Sequence, residues 1–258
     1  MRVITLFNGK GGTGKTTTTV NVSAALKQLG YKVLIVDLDG QASATMAAGV
    51  LVPKGSNTIF DSLTSGAPLP ILEGQTGLHV VPADGRMYQL ELQLANEPSR
   101  AERLGLALDP VRDFYDFILI DCPPAFGLAT INAIKYAESL VLVANMSLLT
   151  LRSTQDVYET LEESKRIAGK EKVLGVVLTM NRYTNENKTV FELVKKRSIK
   201  FPFRTCVRMS TYISEAAARG MDIFAYYPEC SGASDYLDIA KELLERIQKQ
   251  IDYEQKQN

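Results

Sequence analysis

The chain has 258 residues, 45% of them apolar, with 18 Gly, 10 Pro, 3 Cys and no Trp, which suits one or two ordinary cores and excludes a disordered or fibrous chain. Its 29 basic residues balance 29 acidic ones, removing the simplest argument for nucleic acid, a basic whole-chain charge. The first residues run directly into glycine-rich sequence, with no apolar stretch long enough for a signal peptide or a spanning helix, so a cytosolic location is expected. Apolar runs of strand length at residues 3–7, 33–36, 78–81, 117–120, 140–143 and 173–178 alternate with segments of helical period at 16–29, 129–137, 149–167 and 186–196. Parallel strands buried on both faces read as such continuous runs, so the pattern predicts an α/β fold, a mostly parallel sheet flanked by helices on both faces, in a single domain spanning residues 1–258. Residues 53–73, rich in Gly, Pro, Ser and Thr, read as an irregular or mobile insert. A last helix over 236–251 lines Leu237, Ala240, Leu244, Ile247 and Ile251 along one stripe and is expected to cap the core. Cys122, Cys206 and Cys230 lack metal-ligand spacing and read as reduced structural thiols, and His79, in a strand-like run, reads as structural.

One motif carries chemistry. Gly9 and Gly14-Lys15-Thr16 satisfy G-x-x-x-x-G-K-[ST], directly after a predicted strand and opening a predicted helix. Glycines at Gly11, Gly12 and Gly14 let successive backbone N–H groups, with those of Thr13, Thr16 and Thr17, converge on phosphate oxygens at a positive helix terminus. Lys15 neutralises the β- and γ-phosphates and the Thr16 hydroxyl can ligate Mg²⁺, which makes this a nucleoside triphosphate site. Lys10, five residues before Lys15, adds a second cation to the same loop.

The string from Lys10 to Thr17 resembles the deviant Walker A loop of the ParA/MinD superfamily of P-loop NTPases, with Lys10 as its signature lysine. The run Val36-Asp37-Leu38-Asp39-Gly40-Gln41 looks like that family's V-D-x-D-P-Q element, and Ile120-Asp121-Cys122-Pro123-Pro124 like its Walker B element. Ser214-Glu215-Ala216, Gly220 and residues 231–236 resemble the C-terminal region of ParA proteins. The resemblance implies an ATPase that binds ATP and Mg²⁺ and works as an ATP-sandwich homodimer. Lys10 would reach the partner subunit's phosphates, Lys15 would bind its own, and Asp39 would position the attacking water. Thr16 and Asp121, supported by Asp37, would hold the metal, and Pro123, Pro124 and Gly127 would form a switch sensing the γ-phosphate. Asn181 and Arg208 fall where some members contact the base. Gly40 replaces the usual proline, which loosens that turn, and Tyr212 stands where some relatives have arginine.

The neutral total hides segregation. Residues 165–208 hold twelve basic and three acidic residues, a net +9 that the rest of the chain offsets with −9. Such a sector can bind phosphates non-specifically. By resemblance, Lys195, Lys196, Arg197, Lys200 and Arg204 are the expected DNA contacts of an ATP dimer on the nucleoid, released when a ParB-like or other cargo-adaptor protein stimulates hydrolysis, in partition of a plasmid, chromosome or protein cargo. The competing expectation is a MinD-like membrane-associated positioning ATPase. The last residues, 251–258, lack the Leu/Phe cluster opposite Lys/Arg that a membrane-targeting helix needs, so no membrane partner is expected.

Overall fold

The computed structural model describes residues 1–147, 172–196 and 202–256. The six apolar runs form β1 (Arg2–Phe7), β2 (Val33–Asp37), β4 (His79–Val81), β5 (Phe117–Asp121), β6 (Ser139–Asn145) and β7 (Val173–Thr179). With a two-residue β3 (Leu72–Glu73) they build a sheet of order β3-β4-β2-β5-β1-β6-β7, parallel throughout except for β3 against β4. Side chains alternate between two apolar layers, as the two-residue period of a strand requires. Val3, Phe7, Leu34, Val36, Ile118 and Ile120 point into one. Ile4, Leu6, Val33, Ile35, Phe117 and Leu119 point into the other. The expected α/β architecture, helices on both faces of a mostly parallel sheet, is what the chain adopts.

The second layer is covered by α1 (Lys15–Gln28), α2 (Ser43–Ala47), α8 (Thr211–Ala218), α9 (Ile223–Tyr226) and α10 (Ser231–Gln255). The first is covered by α3 (Ile59–Ser65), α4 (Leu90–Gln93), α5 (Arg103–Leu108), α6 (Leu128–Tyr136) and α7 (Asn185–Lys196). Helix α1 opens with four consecutive threonines, poor helix formers, so packing rather than propensity holds it. Its Val20, Ala24 and Ala25 are buried in the same layer as Tyr236, Ile239 and Ala240 of α10.

Two expectations change. The 53–73 insert is ordered: it contains α3, whose Asp61 carboxylate reaches back to accept the Thr58 N–H at 2.8 Å and whose end is a left-handed Gly66, and then β3. The last helix begins at Ser231 rather than at 236, with the small Gly232 letting Ile213 of α8 approach. The helix expected at 149–167 lies outside the described residues.

Both sheet edges are closed to further strands. At one stands the two-residue antiparallel β3. Along the other, residues 202–209 run beside β7: Phe203 N–H donates to Val176 O at 2.9 Å and Val207 N–H to Leu178 O at 2.8 Å, after Pro202, which has no N–H to offer.

Candidate functional site

The carboxyl ends of the parallel strands share one edge of the sheet, the place where open α/β sheets bind ligands. The turns that leave β1, β2 and β5 there carry most of the residues singled out by sequence. The loop after β1 is held from three sides. Asn8 donates its Nδ2 hydrogen to Val143 O at 2.8 Å and accepts the Lys10 N–H at 2.9 Å. Thr179, at the end of β7, donates its hydroxyl to Thr13 O at 2.7 Å. Gly12 and Gly14 have φ of 71° and 89°, open to glycine at little cost, and a Cβ on Gly14 would press on Thr179 at 3.4 Å. Gly11 and Gly12 are exposed at the rim, while Thr13 is buried with a hydroxyl that has no hydrogen-bond partner.

Lys15 is buried at the start of α1, and its Nζ donates to Lys10 O at 3.1 Å. Burial lowers its pKa, opposed chiefly by the Asp121 carboxylate. Thr16 donates its hydroxyl to Asp121 Oδ2 at 2.6 Å and Thr19 donates to Oδ1 at 3.2 Å, so both oxygens of this fully buried carboxylate are oriented. Burial, helped by the charge of Asp37, pushes Asp121 up to about 7, against the pull of Thr16 and Lys15. Asp37 is the register partner of Asp121 on the adjacent strand. It accepts the Thr45 N–H and hydroxyl at 2.9 and 2.8 Å and the Asp39 N–H at 3.0 Å, and burial still raises it to about 6. Asp37 therefore fixes the turn that follows it rather than offering a free face. Asp39 is half-buried two residues on, its Oδ1 accepting the Gln41 N–H at 3.0 Å. The Gly40 turn is not loose. The Tyr88 ring lies where a Cβ on Gly40 would stand, 2.9 Å from that position, and the Tyr88 hydroxyl bonds the Gln41 amide.

Asn181 and Arg208 are brought together as bridge partners, with Asn181 N–H donating to Val207 O and Met209 N–H to Asn181 O, both at 3.0 Å. The Arg208 guanidinium, though, is forked onto Asp235 of α10, its Nη2 2.6 Å from Oδ1, and also donates to Ser231 O. The Arg208 side chain is thus engaged with α10, while its backbone stands beside Asn181. Arg204 is similarly engaged, with Glu245 at 2.6 Å and the buried Glu242 at 3.3 Å, while its side chain stays largely exposed. Lys196 is exposed at the end of α7; the Lys195 side chain, Arg197 and Lys200 lie outside the described residues. His79 pairs with the Tyr115 hydroxyl at 2.8 Å, and the three cysteines are free.

Several residues escaped the sequence reading. Thr19, Thr45, Thr179 and Asn8 orient the groups that the motifs name, and only the threonine run after Lys15 carried a visible signal. Glu91 also escaped: its Oε1 accepts the Leu128 N–H at 3.0 Å where α6 begins, just after Pro123, Pro124 and Gly127. The arrangement fits a magnesium nucleotide. A glycine-lined loop ends in a buried cation with its hydrogens turned inward, and a Thr hydroxyl and one carboxylate stand behind it. That small donor set suits a cation that keeps water and phosphate oxygens as its other ligands.

A profile for the family described as AAA domain matches residues 1–173. The sporulation initiation inhibitor protein Soj of Bacillus subtilis is 36% identical over 247 residues, covering 94% of this chain and 98% of Soj. The chromosome partitioning protein ParA of Myxococcus xanthus is 33% identical, covering 95% of this chain and 88% of ParA. Among solved structures, cobyrinic acid a,c-diamide synthase from Mycobacterium smegmatis with bound ADP and magnesium superposes with a TM-score of 0.82 at 26% identity, covering 96% and 95% of the two chains. The septum site-determining protein MinD of Pyrococcus horikoshii complexed with Mg-ADP gives 0.76 at 28% identity, covering 94% and 95%. With one family profile over most of the chain and Soj and ParA matching 94–95% of it at 36 and 33% identity, the chain belongs to the ParA/MinD family of P-loop ATPases.

Proposed function

We propose that the chain is a ParA-type, Mg²⁺-dependent ATPase. It closes as a homodimer around ATP, binds DNA without sequence preference in that state, and is released when a ParB-like or other adaptor protein on a cargo stimulates hydrolysis. The observation that carries the reading is the two-lysine loop, with Lys15 turned into its own loop, Lys10 at the rim and Asp39 on the neighbouring turn. The identity to Soj and ParA over most of the chain supports the partition branch.

In this reading Lys15 and the backbone N–H groups of residues 11–17 bind the phosphates, and Asn181 with the Arg208 backbone lies beside the base. Thr16 and Asp121 would hold Mg²⁺, whose chemistry when bound is to neutralise charge developing on the β- and γ-oxygens. Asp39 orients the attacking water, and alignment of this kind is most of what phosphoryl transfer asks of a protein. Lys196 and the basic residues around it, Lys195, Arg197 and Lys200, form the DNA surface and place the protein on the nucleoid. Arg204, whose charge is paired with Glu242 and Glu245, adds less to that surface.

MinD-like structures at 28% identity keep a membrane reading in play. Among the described residues no helix is long and apolar enough to cross a membrane, and the end of α10 carries no apolar cluster of the kind that inserts into headgroups. Filter retention of DNA and pelleting with anionic liposomes, each with ATP, ADP and no nucleotide, separate the two. DNA retained with ATP and not with ADP, and prolonged by Asp39→Ala, is the expected result. ATP-dependent pelleting with liposomes and no DNA retention would replace the partition reading with the membrane one.

A further inference from the structure

The residues that link β4 to α4 touch both loops that flank the phosphate site. A short 3₁₀ turn, Gly85–Gln89, is rooted at its start: Asp84 accepts the Arg86 N–H at 2.8 Å, and the Arg86 guanidinium grips Asp84 and, through two bonds of 2.8 Å, Asp61 of α3. Met87 and Leu90 are buried in the core beneath. Just before it, Ala83 N–H donates to the Thr45 hydroxyl at 3.1 Å, the same hydroxyl that donates to Asp37. From this rooted base two side chains reach out in opposite directions. Tyr88 lies on Gly40 and bonds Gln41, whose own N–H is held by Asp39. Glu91 accepts the Leu128 N–H and sits where a Cβ on Gly127 would come within 2.5 Å of its Oε1.

We infer that residues 84–91 are a strut between the two loops, with Tyr88 a positioning residue for the Asp39 turn and Glu91 a positioning residue for the start of α6, so that movement of either loop is felt by the other. The contact with Gly40 is a matched pair. Gly40 is outside the left-handed region, so alanine is unstrained there apart from its clash with the ring. Glu91 supplies what α6 lacks, since the first turn of that helix has no acidic residue of its own and Gly127 offers no side-chain cap. The catalytic consequence rests on the reading of Asp39 as the water-orienting group; the mechanical link does not.

The test uses the whole chain, with steady-state ATP hydrolysis, ATP affinity and backbone hydrogen exchange read together. Tyr88→Ala and Gly40→Ala are each expected to lower kcat about tenfold while leaving ATP affinity within about twofold, because misalignment costs rate before it costs binding. The Gly40→Ala/Tyr88→Ala double variant should be no slower than either single, since the added methyl has nothing to meet once the ring is gone. Glu91→Ala should speed exchange at residues 127–131 and also at 39–45, and Glu91→Gln, which keeps an acceptor, should restore both. Additive losses in the double variant, or faster exchange confined to 127–131 in Glu91→Ala, would overturn the strut. If the unaltered chain does not hydrolyse ATP, the ATPase reading is what fails, and the exchange pattern alone decides whether the two loops are linked.

Discussion

Asp37 and Asp121 are register partners with fully buried carboxyls, and both are raised above the 3.8 of a free side chain, to about 6 and about 7. The folded nucleotide-free chain therefore holds protons that the unfolded chain has released across the interval between those values. Their contribution to stability is full below about pH 4 and is lost as pH rises through about 6 and 7. If Asp121 holds Mg²⁺ as proposed, it must be ionised, so binding Mg²⁺-ADP is expected to release protons near pH 6 and few near pH 8.5. Calorimetric titration in two buffers of different ionisation enthalpy measures that count, and equal counts at both pH values would contradict it. The two loop lysines separate by the same kind of measurement. Lys15→Ala removes a buried charge-assisted contact and is expected to weaken ATP binding by about 100-fold. On the proposed dimer reading, Lys10→Ala, which keeps the Lys10 carbonyl that receives Lys15, should leave affinity within about fivefold and abolish ATP-driven dimerisation, with light scattering as the measurement.

Among the elements, the segment that flanks β7 shows how a basic stretch is put to structural use. Asp235 accepts both the Arg208 N–H at 2.9 Å and its guanidinium, and Glu242 does the same for Arg204 N–H and for Arg246, itself stacked 4.3 Å over Phe203. Asp235→Ala strands a half-buried N–H and the guanidinium paired with it, and is expected to cost about 2 kcal/mol, a fall of roughly 5 °C in Tm by differential scanning fluorimetry. Asp235→Asn, which keeps one acceptor, should lose less. The acidic partners that α10 offers Arg208 and Arg204 lie 27 to 41 residues from them, too far for local charge spacing to announce them. The parallel strands were legible because burial on both faces leaves uninterrupted aliphatic runs, and each of the six contains or overlaps its expected run, whereas the two-residue β3 had none. Short helices were not: α2, α4 and α9 have four or five residues, too few to show a 3.6-residue period. Helix α3 was hidden by its own caps, since Thr58 and Gly66, which start and stop it, are also what made 53–73 look like loop. At the site, the groups named by the motif were visible as letters, while Thr45, Thr179 and Glu91 act through side-chain pairings that exist only once the chain is folded, those of Thr179 and Glu91 across 166 and 37 residues.

For the molecule as a whole, charge balance is local rather than global. Arg204 and Arg208 face acids from α10, whereas Lys196 is exposed at the end of α7. Replacing Lys195, Lys196 and Arg197 by alanine is expected to weaken ATP-dependent DNA binding and to flatten the slope of log affinity against log salt by about 2 to 3 units, with nucleotide affinity retained. Arg204→Ala should change that slope little and lower Tm instead. Undiminished DNA affinity in the triple variant would move the surface elsewhere. The two closed sheet edges bear on how copies of this chain can meet. An open edge invites a neighbour to add a strand, a union sealed by a ladder of main-chain bonds and indifferent to what occupies the active site. With a two-residue antiparallel strand on one side and a proline-led segment on the other, that route is disfavoured. Self-association is then steered toward the turns at the carboxyl edge and toward helix surfaces, so that, on the proposed reading of a dimer that forms with ATP and parts after hydrolysis, blunted edges keep a reversible union from becoming a lasting one.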